Sequence, residues 1–248
     1  MRVGEFSNEV ELMTQMMPPP RVGFVRGYHM VAPEHALGNI NKRRIKVTRF
    51  SEANDPFELF ALRVEDRTVR KELASWKDQQ ESSTGLLCFG AGWSSTLMWS
   101  HYAAGHRGVC LGFDLQQEFV TPVIYKDARI ELEPEDDEQL ALMSPEIEAQ
   151  LRCSKSDEWD YEKELRAFVP LSDAVNEGPL YFWPFEPRMR LVQVILGLRC
   201  ELALSDVRSA VASYDANATV FKARMAFQQF KITPNLRTLP SQEHYGTD

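Results

Sequence analysis

Apolar positions along this chain fall in short runs separated by turn-forming residues, and the periodicity switches irregularly between that of strands and that of helices. Residues 22–30 (VGFVRGYHM) are rich in Val, Phe and Tyr and predict a first strand. Pro33 then opens a short helix reaching Asn39, since a proline at the first helical position forfeits no hydrogen bond. Residues 45–50 predict a second strand. Residues 54–60 (NDPFELF) begin with turn formers and run into an apolar pattern, which predicts the start of a helix that residues 66–77 extend or follow.

The middle of the chain predicts a strand, a turn, a helix and a strand. Residues 86–89 form the first strand, Gly90 and Gly92 break it, residues 97–103 form the helix, Gly105 and Gly108 close it, and residues 109–113 return as a strand. Further strands are expected at 123–125 and 165–169, an exposed acidic loop at 131–138, and a helix at 145–152. Residues 191–198 (LVQVILGL) are apolar on both alternating faces, as in a central strand covered on both sides. Ser205 suits the N-cap of a helix ending at Ser213, and residues 220–232 predict a last strand or strand pair.

Short strands alternating irregularly with helices predict an α+β fold, with a mixed or mainly antiparallel, strongly bent sheet flanked by helices. Residues 1–20, ending in Pro18, Pro19 and Pro20, read as a mobile arm, residues 21–234 as a single domain, and residues 235–248 as a mobile polar tail. With 44% hydrophobic and 26% charged residues in 248, the chain has the means to bury a sizeable core without metals or disulfides.

A net charge of -8 and a pI near 5.3 disfavour a broad nucleic-acid surface, whose affinity comes from basic side chains displacing counterions. Arg43, Arg44, Lys46 and Arg49 form the densest basic run and read as a charged strand edge. Cys88, Cys110, Cys153 and Cys200 make no C-x-x-C pair, which predicts reduced thiols and a cytoplasmic address. No run approaches a membrane span or a signal peptide, and no metal-ligand spacing stands out. Neither a G-x-G-x-x-G after a strand nor a P-loop motif is present.

Two segments concentrate polar chemistry. Between Cys88 and Asp114, a helix from Leu97 would bring Met98, His101, Tyr102 and Gly105 onto one face, with Trp99 on an adjoining one. His101 and Tyr102 are then either site residues or core residues with backbone partners. Arg107, between two glycines, suits a phosphate or carboxylate, or alternatively a salt bridge to Asp114 or to a later glutamate. If residues 162–168 are extended, Glu162, Glu164 and Arg166 project from one face, either as a binding row or as an exposed cross-strand set. Tyr28, His29 and the turn Asn54-Asp55-Pro56 are further candidates.

The run LMWSHYAAGHRGVCLGFD, with FSEANDPFE upstream and WDYEKELR downstream, resembles the bacterial family catalogued as domain of unknown function 2971, over residues 24–232. More distantly, an opening strand with Tyr28 and His29, an aromatic helix and a late Glu162-x-Glu164 strand resemble the order of elements in ADP-ribosyltransferases. That likeness implies NAD as substrate, a macromolecular acceptor, and a role as a toxin or phage-defence effector. It implies His29 on the nicotinamide-side ribose, Tyr102 on the nicotinamide ring, and Glu164 stabilising an oxocarbenium-like transition state. The alternative is a non-catalytic module holding a nucleotide or protein partner in the same cleft.

Overall fold

The computed structural model describes residues 18–131 and 144–239. In chain order the elements are β1 (Phe24–Val31), α1 (Pro33–Asn41), β2 (Arg44–Lys46), α2 (Arg67–Ser83), β3 (Thr84–Gly90), α3 (Thr96–Tyr102) and β4 (Val109–Gln116). They continue with β5 (Thr121–Pro122), β6 (Ile124–Lys126), α4 (Pro145–Cys153), β7 (Ser154–Ser156), β8 (Glu164–Pro170) and β9 (Val175–Glu177). The last are β10 (Leu180–Pro184), β11 (Met189–Leu196), α5 (Leu204–Ala212), β12 (Thr219–Met225) and β13 (Ile232–Pro234).

The fold is α+β, built on a bent eight-stranded sheet in the order β13-β12-β11-β4-β1-β3-β8-β5. Its pairs are antiparallel except β11 with β12, which run parallel across the α5 connection. The centre is closely laid. A Cβ added to Gly27 would stand 2.5 Å from Leu115 Cδ1, and one on Gly112 3.0 Å from Gln193 Cβ, so the main chains carry glycine where neighbouring side chains cross them. β11 is buried along its second half, as its two-sided apolar pattern predicts, and packs with β4 in a core including Leu111, Phe113, Leu191 and Val194. Helices α1 and α5 bury Ile40, Val207 and Val211 against this core.

Several expectations are revised. Residues 54–60 form turns rather than a helix: Asp55 accepts a hydrogen bond from the Phe57 amide, and Leu59 has φ +63°. α2 begins only at Arg67, where Asp66 caps the amides of Thr68 and Val69. The second strand stops at Lys46, and Phe50 opens a short 3-10 turn. α5 starts at Leu204 without a side-chain cap, so Ser205 lies inside it. The tail is not wholly loose, since the Thr238 hydroxyl accepts from the Lys222 amide and Leu239 packs beside Trp99 and Phe221. The 131–138 loop and the 1–20 arm lie almost wholly outside the described residues.

The basic run is held by internal partners: Arg44 pairs with Glu177 at 2.7 Å and stacks on Phe182, Lys46 pairs with Glu52, and Arg49 pairs with Glu81. None of the four cysteines is in a disulfide. Among the described residues no helix is long and apolar enough to cross a membrane.

Candidate functional site

The sheet parts at its middle. β1 pairs with β4 along its whole length, from Phe24 opposite Gln116 to Val31 opposite Val109, but meets β3 at one position, Tyr28 opposite Gly90. Where the two strands diverge, His29 Nδ1 lies 3.0 Å from the Cys88 carbonyl oxygen, and the imidazole N–H donates where a ladder bond is missing. Burial holds this imidazole below its usual pKa, partly offset by that hydrogen bond, so the ring is neutral near pH 7. A cavity of about 340 Å³ opens along the divergence, lined by Tyr28 and His29 on one lip and by Cys88, Phe89 and Gly90 on the other.

Helix α3 closes one side. Ser95 caps it through the Met98 amide, and its spacing brings Met98, His101 and Tyr102 to the cavity, as the helical pattern predicts. Trp99 and Arg107 do not reach it. Trp99 is fully buried, donates from its indole to the Trp93 carbonyl at 2.6 Å and stacks on His106, so it packs the helix. Arg107 is exposed in a turn where Ala104, Gly105 and His106 all have positive φ. That turn sits against the Val31 carbonyl, beyond the part of β1 that lines the cavity, and Asp114 pairs instead with Arg26 at 2.5 Å.

The opposite wall carries the carboxylates. Residues 162–168 are not one extended row: Glu162 ends a 3-10 turn (Asp157–Glu162), and Lys163 adopts the left-handed conformation at φ +44° before β8 begins at Glu164. Glu162 and Glu164 nevertheless both line the cavity, since the left-handed residue redirects the chain between them. Such a conformation in a residue other than glycine costs free energy and persists only where surroundings enforce it, here including the outward pairing of Lys163 with Asp160.

These side chains form one buried polar network. Arg166 forks to both Glu58 oxygens at 2.7 and 2.8 Å, donates from Nε to Glu164 at 3.0 Å, and reaches the Arg152 carbonyl at 2.8 Å. Lys155 donates to Glu162 at 2.5 Å and lies 3.4 Å from Glu164. Tyr102 donates its hydroxyl to Glu162, and Asn54 lines the same cavity. The Glu164 amide donates to the Tyr125 hydroxyl at 2.8 Å. Eight of the sequence-predicted residues therefore converge: Tyr28, His29, Asn54, His101, Tyr102, Glu162, Glu164 and Arg166.

Burial and charge pull these groups in opposite directions. Burial raises the Glu58 carboxyl, and Arg166 offsets this only in part. Burial also opposes ionisation of Glu164, yet Arg166 and Lys155 together outweigh it and hold that carboxyl below its usual value. Arg166 and Lys155 stay cationic because the surrounding glutamates overcome their desolvation. Burial, then Glu162, pushes the Tyr102 phenol far up, so it remains a donor. Burial, then Glu164, raises the Cys88 thiol well above its usual value, which makes it a poor nucleophile.

Lys155, Glu58 and Tyr125 were not singled out from the sequence, whereas Asp55 stood there as part of the Asn54-Asp55-Pro56 turn. Lys155 sits in the featureless CSKS, and the signal for Glu58 was an acid embedded in the apolar run FELFAL. A second cavity of about 160 Å³ shares Asp55 and Lys155 with the first and is lined also by Phe57, Lys126, Asp127 and Arg129. Among the described residues no group of three or more His, Cys, Asp or Glu side chains is placed to hold a metal ion.

A family model described as "Protein of unknown function (DUF2971)" matches residues 98–167. This similarity spans α3 to β8 and so includes His101, Tyr102, Lys155, Glu162, Glu164 and Arg166. Searches of curated proteins and of solved structures returned no match.

Proposed function

We propose that the cleft binds NAD and breaks its nicotinamide–ribose bond, passing the ADP-ribosyl group to an acceptor as in ADP-ribosyltransferases. The observation that carries this reading is the meeting of Glu162 and Glu164 with Tyr28, His29 and Tyr102 around a cavity at the parting of β1 and β3. In the reaction the glycosidic bond breaks, nicotinamide leaves neutral with the bonding electron pair, and positive charge develops on the ribose. A nucleophilic oxygen or nitrogen of the acceptor then bonds to the anomeric carbon and loses its proton to solvent or to a carboxylate.

A fixed carboxylate lowers the energy of such a cationic transition state. Glu162, held between the half-buried Tyr102 and Lys155, is the carboxylate we assign to the sugar; Glu164, locked to the fully buried Arg166, orders the wall behind it. The rings of Tyr28 and Tyr102 offer stacking surfaces for nicotinamide. Lys126 and Arg129 in the adjoining cavity suit the pyrophosphate.

The test is nicotinamide release from NAD by the full chain, with autoradiography of labelled acceptors from the source cell. Glu162→Gln is expected to lower release by about 100-fold, given the weight of one preorganised electrostatic group. Absence of release by the unaltered protein, or undiminished release by the variant, refutes the assignment.

A second reading is a non-catalytic nucleotide- or partner-binding module. It is favoured by the cationic partners that Glu58, Glu162 and Glu164 already have, which leave no free general base among the three. NAD binding by calorimetry without nicotinamide release supports it.

A further inference from the structure

The charge balance of the main cavity points to a property beyond this reading. Its walls carry Glu52, Asp55, Glu58, Glu162 and Glu164 against Lys155 and Arg166. Glu52 is balanced from outside by Lys46 at 2.8 Å, but the other four carboxylates share two cations. Arg166 is consumed by Glu58 and Glu164, and Lys155 by Glu162 and Glu164. The Asp55 carboxylate accepts from the neutral Phe57 amide at 2.9 Å, and the residue is 4% exposed. A partly desolvated wall with surplus negative charge is unfavourable until a cation enters it.

The cavity also presents the rings of Tyr28 and Tyr102, whose faces attract cations. We propose that it selects an organic cation over its neutral isostere. Resting on the NAD reading, that cation is the pyridinium ring of the oxidised dinucleotide. Oxidised NAD carries this charge and the reduced form does not, so the site discriminates the oxidation state of the cofactor before any chemistry occurs.

The experiment is calorimetric titration of the full chain with 1-methylnicotinamide and with neutral nicotinamide, alongside NAD and NADH. The cationic member of each pair is expected to bind at least about ten-fold more tightly. Asp55→Asn is expected to narrow the difference, and a falling preference with added salt gives the same information without any substitution. Equal affinities, preference for the neutral member, or no binding of either cation overturns the proposal. Cation preference without nicotinamide release leaves this inference standing and removes the transferase reading; NAD consumption with equal NADH affinity does the reverse.

Discussion

At the scale of single residues, His29 and Arg166 tie the cleft to stability. His29 is held below the usual imidazole pKa of 6.5 by burial. Between its folded pKa and 6.5 the unfolded chain takes a proton that the folded chain refuses, so stability is complete above that window and is lost as pH falls through it. Urea unfolding followed from pH 7.5 down to about 5 is expected to show this loss, and His29→Gln to flatten it. An unchanged pH slope in the variant refutes the neutral imidazole. Arg166 is 1% exposed and serves two carboxylates, so Arg166→Met leaves Glu58 and Glu164 facing each other without their shared cation. The expected loss is about 3–5 kcal/mol, measured as a shift of the urea midpoint. Adding Glu58→Leu removes one stranded charge and is expected to restore part of that loss, whereas strict additivity would show the two side chains to be uncoupled.

Among the elements, two glycines make opposite predictions. Gly38 lies inside α1 with open space where a Cβ would stand, so Gly38→Ala is expected to stabilise by about 0.5–1 kcal/mol through lost freedom of the unfolded chain. Gly108 enters β4 with the Val31 carbonyl only 2.2 Å from an added Cβ, and Gly108→Ala is expected to cost about 1–3 kcal/mol by forcing β1 and β4 apart. Thermal unfolding of the two variants checks both signs. The same scale explains what the sequence could tell. α3 and its flanking strands were legible because Gly90, Gly92, Gly105 and Gly108 punctuate an unbroken apolar pattern. β9, β10 and the continuation of the Asn54-Asp55-Pro56 turn to residue 60 were not legible. β9 is short and exposed and β10 only half-buried, with β10 paired to distant β2, and the 54–60 turns are fixed by an Asp55 side-chain hydrogen bond that competes with helix.

For the whole molecule, the cleft is a consequence of topology: β1 at the sheet centre separates from β3, and remote segments supply Glu58, Tyr102, Lys155 and Glu162 around the gap. The pairing of the aromatic helix with the late glutamates was readable as two polar clusters, but Lys155 and Glu58 carry no local pattern and gain their roles only from long-range contacts. At the far edge of the sheet, the β12–β13 connection exposes Met225, Phe227 and Phe230, the last two at 92% and 103%. Arg224 lies over the Phe227 ring at 4.9 Å, a contact worth little at so exposed a site. These rings bury little area, so Phe227→Ser with Phe230→Ser is expected to move folding stability by no more than about 0.5 kcal/mol. The same change removes the most exposed apolar rings among the described residues and is expected to shorten retention on a hydrophobic-interaction column. A stability loss above about 1 kcal/mol in urea would mean that both rings pack against the protein in solution, and the edge of the sheet would have to be redrawn.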